Sequence, residues 1–125
     1  MEFRENEAIY LQIAAYVGEH IVLGKWPLDQ KIPSVRDLAV ELQVNPNTVL
    51  RAYEFLQNKE VIVNKRGIGF FIAADAEMKI KEYSKERFLG NALPEFFKNI
   101  YLLDISMQEI EERFEQFKAA HYQQN

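Results

Sequence analysis

Three polar residues near the middle of the chain have side chains of the kinds that read the edges of DNA bases. They are Asn47, Thr48 and Arg51. Asparagine pairs with adenine and arginine with guanine through two hydrogen bonds each, and an apolar side chain such as that of Leu50 can meet a thymine methyl group. On a helix, Asn47 and Arg51 would share one face because they are four residues apart. The spacing therefore predicts a base-reading surface, although a solvated helix face is the common alternative for polar residues in this pattern.

The segment that carries these residues has a clear helix start. Asn45 can cap the helix, and Pro46 takes the first helical position, where its missing N–H costs nothing. A shorter helix precedes it, capped by Ser34 and ending near Gln43. Two short helices joined by a tight turn form a helix-turn-helix, whose second helix enters the major groove. At the start of the shorter helix, just after Ser34, Arg36 and the free backbone amides suit a phosphate contact.

Elements on either side complete this arrangement. Apolar residues at helical spacing from Ile9 to Ile21, stopped by Gly24, predict a helix before the pair. The β-rich residues 61–63 and 70–72 predict a hairpin after it, whose tip carries two cations and suits a narrow minor groove. A charged hairpin that protects a sheet edge is the alternative. The predicted fold class is mainly α with a small β-hairpin, namely a winged helix-turn-helix over residues 1–74. The predicted DNA-binding residues are Ser34, Arg36, Asn45, Asn47, Thr48, Leu50, Arg51, Lys65, Arg66 and Gly67.

Residues 75–125 have the charged, aromatic-rich composition of a helical tail. The sequence predicts a long helix that is kinked near Pro94, because proline removes a backbone donor. After a turn, Ser106 and Glu109 match a capping box that begins a last helix. We expect this helix to fray beyond residue 120.

The apolar side chains of this tail exceed what two helices can bury against each other. A second copy of the tail would bury them in a two-fold helical bundle. Such a homodimer places two reading helices about one DNA turn apart, roughly 34 Å, which matches an inverted repeat. A ligand pocket is an alternative for the aromatic residues, but packing surface is the commoner use of such a stripe. The predicted dimerisation residues are Phe88, Phe96, Phe97, Ile100, Ile110, Phe114 and Phe117.

Composition narrows the remaining function classes. The chain has no cysteine, and its two histidines, His20 and His121, lie far apart without a carboxylate cluster, so no metal site is expected. We expect His20 to lie on the buried face of the first predicted helix, as a residue of the protein core. There is no plausible Ser-His-Asp set, and we therefore expect neither an enzyme nor a cofactor.

Charge and hydropathy lead us to expect a cytoplasmic protein that does not bind membranes. No apolar run approaches the roughly 20 residues that a bilayer requires, and the N-terminus is acidic, unlike a secretory signal. The net charge is −4, but residues 31–66 carry six Lys or Arg against four Asp or Glu. This local excess permits DNA binding without showing it.

Ordered motifs along the first half of the chain resemble the GntR winged-helix signature. These are Ile9-Tyr10-x-Gln12-Ile13, Gly24, Pro33-Ser34-x-Arg36-x-Leu38-Ala39, Asn45-Pro46-Asn47-Thr48-Val49-x-Arg51-Ala52-Tyr53-x-x-Leu56, and Arg66-Gly67-x-Gly69-x-Phe71. The short tail resembles that of the YtrA-type subgroup. The resemblance implies a homodimeric repressor of operator DNA, often one that regulates its own operon and a linked ABC-type transporter. Its matched positions include Arg36, the helix start at 45–48, Arg51 and the wing glycines.

Three residues depart from the family pattern. Asp29 stands where glycine is usual in the turn before the second helix, and Glu60 replaces the glycine that normally ends the third. Phe70 replaces a small threonine of the wing, and we expect it to pack rather than to touch DNA.

Two alternatives stay open from the sequence. A winged helix can also serve as a protein-interaction module that never touches nucleic acid, although the polar residues on the groove side favour DNA. A small-molecule effector could bind between the two subunits, or between the tail and the winged helix-turn-helix. The alternative is that the protein has no effector. The sequence does not identify such an effector.

Overall fold

Residues 1–122 are described by a computed structural model, in which the chain divides into two units after Lys85. The first unit extends beyond residue 74, where the sequence predicted the boundary, because Ala76 and Ile80 are buried in its core. The expected fraying beyond residue 120 falls largely on residues 123–125, which lie outside the described residues.

The observed elements confirm the predicted fold class. Helices α1, α2 and α3 are followed by a two-stranded antiparallel hairpin of β1 and β2 and then by further helices, α4, α5 and α6. Their bounds are α1 Ile9–Val22, α2 Val35–Leu42, α3 Pro46–Asn58, β1 Ile62–Lys65, β2 Gly69–Ile72, α4 Ala76–Arg87, α5 Leu93–Leu102 and α6 Met107–His121.

The core of the first unit is an apolar cluster to which every one of its elements contributes. Ile13 and Val17 of α1, Leu38 of α2, Val49 of α3 and Ile62 of β1 are fully or almost fully buried. Each of these residues belongs to the apolar side of its helix or strand. Burial of these apolar sides drives the helices and the hairpin together.

Helix α1 ends as the sequence predicts. Gly24 adopts a positive φ of 70°, which glycine tolerates without strain, and its N–H donates to the carbonyl oxygen of Ile21 at 3.1 Å. The expectation that His20 lies in the core is wrong. His20 is half-buried, with its ring between those of Tyr16 and Trp26 at centroid distances of 4.2 and 4.8 Å.

The hairpin is tighter than the sequence suggested. Lys65 pairs with Gly69 at the end of the ladder, so Lys65 belongs to β1 and only residues 66–68 form the turn. The Ile68 N–H donates to the Lys65 carbonyl oxygen at 2.9 Å, and Gly67 takes a positive φ of 81°. A third short segment joins the sheet edge, because the Ile32 N–H donates to the Phe70 carbonyl oxygen at 3.0 Å.

An irregular helical stretch precedes the predicted kink. Residues Phe88–Ala92 form a π-helical turn, and Pro94 lies in the first turn of α5. Proline cannot donate an N–H, and its ring crowds the carbonyl group four residues earlier, that of Gly90. A wider turn at this point relieves that crowding.

The last helix begins with the predicted cap. Ser106 Oγ accepts a hydrogen bond from the Glu109 N–H at 3.1 Å, and Asp104 in the preceding turn adopts a positive φ of 56°. Within residues 86–122 no residue is buried. Among the described residues, none of the helices has the length and apolarity required to cross a bilayer.

Candidate nucleic-acid interface

Helices α2 and α3 form the helix-turn-helix, and both begin with a side-chain cap. Ser34 Oγ accepts from the Asp37 N–H at 3.0 Å, and Asn45 Oδ1 accepts from the Asn47 N–H at 2.8 Å. Gln43 turns the chain between the helices with a positive φ of 58°. Ser34 and Asn45 therefore lie at the predicted helix starts, with their side-chain oxygens engaged in holding those starts together.

The outer face of α3 carries the predicted base-reading residues. Asn47, Leu50 and Arg51 are exposed, whereas Thr48 is half-buried. The opposite face of the same helix is buried through Val49, Ala52, Tyr53 and Leu56. Among residues 1–122, the Asn47 side-chain amide has no hydrogen-bond partner, so its donor and acceptor groups are available to a ligand.

Arg51 has a contact that the sequence did not predict. Its guanidinium carbon lies 4.0 Å from the centre of the Tyr10 ring, in the first turn of α1. Within residues 1–122 the guanidinium makes no hydrogen bond or ion pair. The sequence shows Tyr10 only as part of a motif, because a contact between residues 41 positions apart leaves no trace in local spacing.

The start of α2 is tied to α3 by a buried hydroxyl. Tyr53 is fully buried, and its hydroxyl donates to the Pro33 carbonyl oxygen at 2.6 Å. Burial raises the pKa of Tyr53 well above its ordinary value, and the charges of Glu41 and Asp37 raise it further. The neutral hydroxyl is therefore kept as a donor, and it holds the segment that presents Arg36, which is exposed.

The start of α2 also leaves backbone donors free. The Asp37 and Leu38 amides donate to Ser34, but within residues 1–122 the amides of Val35 and Arg36 have no acceptor. Free amides at a helix N-terminus attract anions, and the exposed Arg36 side chain adds a full positive charge beside them.

The tip of the wing is exposed, but one of its two cations is held. Lys65 Nζ lies 4.2 Å from the centre of the Phe71 ring, whereas Arg66 and Gly67 project at the turn. Phe70 packs edge-on against Tyr53 with ring centroids 5.0 Å apart, as the sequence predicted.

The two departures from glycine keep the backbone that glycine would adopt. Asp29 has a φ of 71° and Glu60 a φ of 62°. Glu60 Oε2 also accepts from Lys79 Nζ of α4 at 3.0 Å. The turns therefore retain their left-handed geometry, at a conformational cost that glycine would not carry.

The predicted dimerisation residues all lie in the part of the chain after Lys85, and none is buried. The five phenylalanines of the set are between 37% and 57% exposed, and Ile100 and Ile110 are half-buried. The sequence set omitted a further group of exposed apolar residues at the α5–α6 turn. That group is Tyr101, Leu102, Leu103 and Met107.

Comparison with known proteins agrees with this geometry. The profile described as "Bacterial regulatory proteins, gntR family" matches residues 9–72. The HTH-type transcriptional regulator YhcF of Bacillus subtilis is 33% identical over 116 residues, which are 93% of this chain and 94% of YhcF. The HTH-type transcriptional repressor YtrA of the same organism is 28% identical over 93% of this chain and 88% of YtrA.

A solved structure covers nearly the whole chain. It is a putative GntR-family transcriptional regulator from Bacteroides thetaiotaomicron, with 49% sequence identity and a TM-score of 0.69 over 90% of this chain and 98% of that one. The profile matches the helix-turn-helix and the wing, and YhcF, YtrA and the solved structure each align with this chain over most of their own length. The chain belongs to the GntR family of DNA-binding transcriptional regulators.

Proposed function

We propose that this GntR-family regulator is a repressor that binds an inverted-repeat operator as a homodimer. The observation that carries the proposal is the outer face of α3, where Asn47, Leu50 and Arg51 are exposed while the opposite face is locked in the core. This is the arrangement in which a recognition helix enters the major groove. The similarity to YtrA, which is described as a repressor, supports repression over activation.

The proposed contacts fall into base-reading and backbone classes. Asn47, Thr48, Leu50 and Arg51 face base edges, where the amide and guanidinium supply directional hydrogen bonds. Arg36 and the free amides at the start of α2 bind a phosphate, and this contact carries no sequence information of its own.

Three further predicted residues act at the edges of this surface. Ser34 and Asn45 hold the two helix starts against the DNA through their caps. Arg66 and Gly67 bring the wing tip to the minor groove, where a narrow groove concentrates negative potential. Lys65 contributes charge beside the tip, with its Nζ 4.2 Å from the centre of the Phe71 ring.

The part of the chain after Lys85 supplies the argument for two copies. Residues 86–122 contain no buried residue, yet Phe96, Phe97, Phe114 and Phe117 expose large apolar rings. Exposed apolar surface on this scale marks an interaction site, and a symmetric partner presents the same surface in return. A two-fold dimer also gives two reading helices the spacing of one DNA turn, roughly 34 Å.

Selection of bound duplexes from a random pool tests this proposal most directly. We expect an inverted repeat whose half-site centres are about 10 base pairs apart, bound by two protein copies. Binding should weaken steeply as the salt concentration rises, because phosphate contacts release counterions. Enrichment of a single half-site by a monomer would refute the dimer, and failure to enrich any duplex at low salt would refute operator binding.

Transcription in vitro then tests the direction of control. Adding the protein to a template that carries the selected operator across a promoter should lower transcript yield. A rise in yield would show an activator. A template with a scrambled operator is the matched control.

A further inference from the structure

A row of aromatic rings lies beside the proposed base-reading surface. Tyr10 of α1 packs edge-on against Phe55 of α3, with ring centroids 6.2 Å apart, and Phe55 packs in the same way against Tyr83 of α4 at 5.4 Å. Tyr10 and Phe55 are half-buried against the core of the first unit. The Tyr10 ring is thus held in place by its contact with Phe55, a ring on α3 itself.

The guanidinium of Arg51 lies over the Tyr10 ring, at one end of this row. Its central carbon is 4.0 Å from the centre of the Tyr10 ring, well within the range of a cation–π contact. Stacking uses the flat face of a guanidinium and leaves its N–H donors, which lie in the plane, free for other partners. Within residues 1–122 those donors bind nothing else.

We infer that Tyr10 is a positioning residue for base recognition, which holds the Arg51 guanidinium in place before DNA arrives. A long arginine side chain loses considerable rotamer freedom when it binds, and a side chain ordered in advance avoids part of that cost. Tyr10 itself contacts no base. Its effect on affinity and on base preference passes through Arg51, and the inference therefore rests on the proposed operator binding.

Two substitutions separate the ring from the rest of the side chain. Tyr10→Phe keeps the ring and removes the hydroxyl, so binding should stay at the wild-type level. Tyr10→Leu keeps apolar bulk but removes the ring, and we expect operator affinity to fall by about three- to tenfold per half-site, as for one side chain that must be ordered on binding. In Tyr10→Leu, the preference for one base over the others should weaken at the base pair that Arg51 reads and at no other base pair.

A matched control comes from the same helix. Tyr16 is also a half-buried tyrosine of α1, but its ring packs against His20 and, within residues 1–122, contacts no arginine. Tyr16→Leu should lower the thermal stability about as much as Tyr10→Leu does, but it should not change the base preference. A loss of preference in both variants would indicate a general structural effect and would overturn the inference.

A double-mutant cycle on the selected operator completes the test. In an Arg51→Ala background, Tyr10→Leu should cause no further loss of affinity, because the residue that it positions is gone. Additive losses would overturn the inference. In the DNA-free protein, the Arg51 side-chain NMR signals should show a ring-current shift that Tyr10→Phe keeps and Tyr10→Leu abolishes, and identical signals in all three proteins would likewise overturn it.

The outcome also separates the two levels of the proposal. If the wild-type protein selects no preferred sequence, operator binding and the role of Tyr10 fail together. If the wild type binds selectively and Tyr10→Leu behaves like Tyr16→Leu, operator binding stands and the role of Tyr10 alone is refuted.

Discussion

The hydroxyl of Tyr53 in α3 donates a 2.6 Å hydrogen bond to the carbonyl oxygen of Pro33, one residue before the cap of α2. The bond joins residues 20 positions apart and lies under the helix-turn-helix. It fixes the start of α2, which presents Arg36, relative to the middle of α3. Stability and the geometry of the proposed DNA-binding surface are thus linked at one buried group.

Removal of this hydroxyl should destabilise the protein. Tyr53→Phe leaves the Pro33 carbonyl without its donor, and we expect the free energy of unfolding to fall by about 1–2 kcal/mol. Urea denaturation at a fixed protein concentration measures the change. Tyr101→Phe is the control, because Tyr101 is 81% exposed, and it should leave the midpoint unchanged. Equal midpoints for Tyr53→Phe and wild type would contradict the prediction.

The same hydroxyl predicts a loss of stability at alkaline pH. Burial first, and then Glu41 and Asp37, raise the pKa of Tyr53 above the ordinary value of 10.0 that it has in the unfolded chain. Above pH 10 the unfolded state therefore loses a proton that the folded state keeps, so the free energy of unfolding falls as the pH rises. Below pH 10 this contribution is fully present. Urea midpoints between pH 8 and pH 11 should show a smaller alkaline decline in Tyr53→Phe than in wild type, and equal declines would refute the assignment.

The two classes of proposed DNA contact should differ in what they cost. Asn47→Ala should weaken binding to the selected operator by about 1–3 kcal/mol and relax preference at one base pair of each half-site. Arg36→Ala should weaken binding to all sequences more evenly and reduce the dependence on salt. Titrations against single-base operator variants at several salt concentrations distinguish these patterns. If both variants bound like wild type, the contact assignment would be wrong.

Truncation of one tail phenylalanine should weaken dimerisation and operator binding together. Phe114→Ala removes an exposed ring from the proposed bundle, and we expect a higher dissociation constant in sedimentation and a parallel loss in operator titrations. Met78→Ala is the matched control, since Met78 is similarly exposed but lies on α4 outside the predicted set. An intact dimer with Phe114→Ala at all concentrations would count against this interface.

The positive φ at Glu60 predicts an unusual order among variants. A left-handed conformation costs a residue with a Cβ roughly 1 kcal/mol, and glycine does not incur that cost. Both Glu60→Gly and Glu60→Ala lose the exposed ion pair with Lys79, which contributes little. Glu60→Gly should therefore be more stable than Glu60→Ala by about 1 kcal/mol. A more stable alanine variant in thermal or urea unfolding would contradict the observed backbone geometry.

Much of the fold follows from local chemistry that the sequence displays directly. Ser34, Asn45 and Ser106 cap helices where the sequence predicts, because capping depends on residues only two or three positions away. Pro94 is accompanied by an irregular turn for the same reason. Apolar periodicity likewise predicts the buried face of α3.

Contacts between distant segments escaped this reasoning. The Tyr10–Arg51 stack and the Tyr53–Pro33 bond depend on how α1, α2 and α3 cross, and periodicity does not encode crossing angles. His20 shows the related error: its spacing matches the buried stripe of α1, but the ring lies at the margin of that stripe and stacks on Trp26 instead.

The part of the chain after Lys85 has no interior of its own, since residues 86–122 contain no buried residue. Helices of this length are marginal in water when nothing packs against them. If a second copy supplies that packing, mass action links the order of the tail to the amount of protein present. Dilution alone would then unravel it and release the operator, so that the regulator would sense its own abundance.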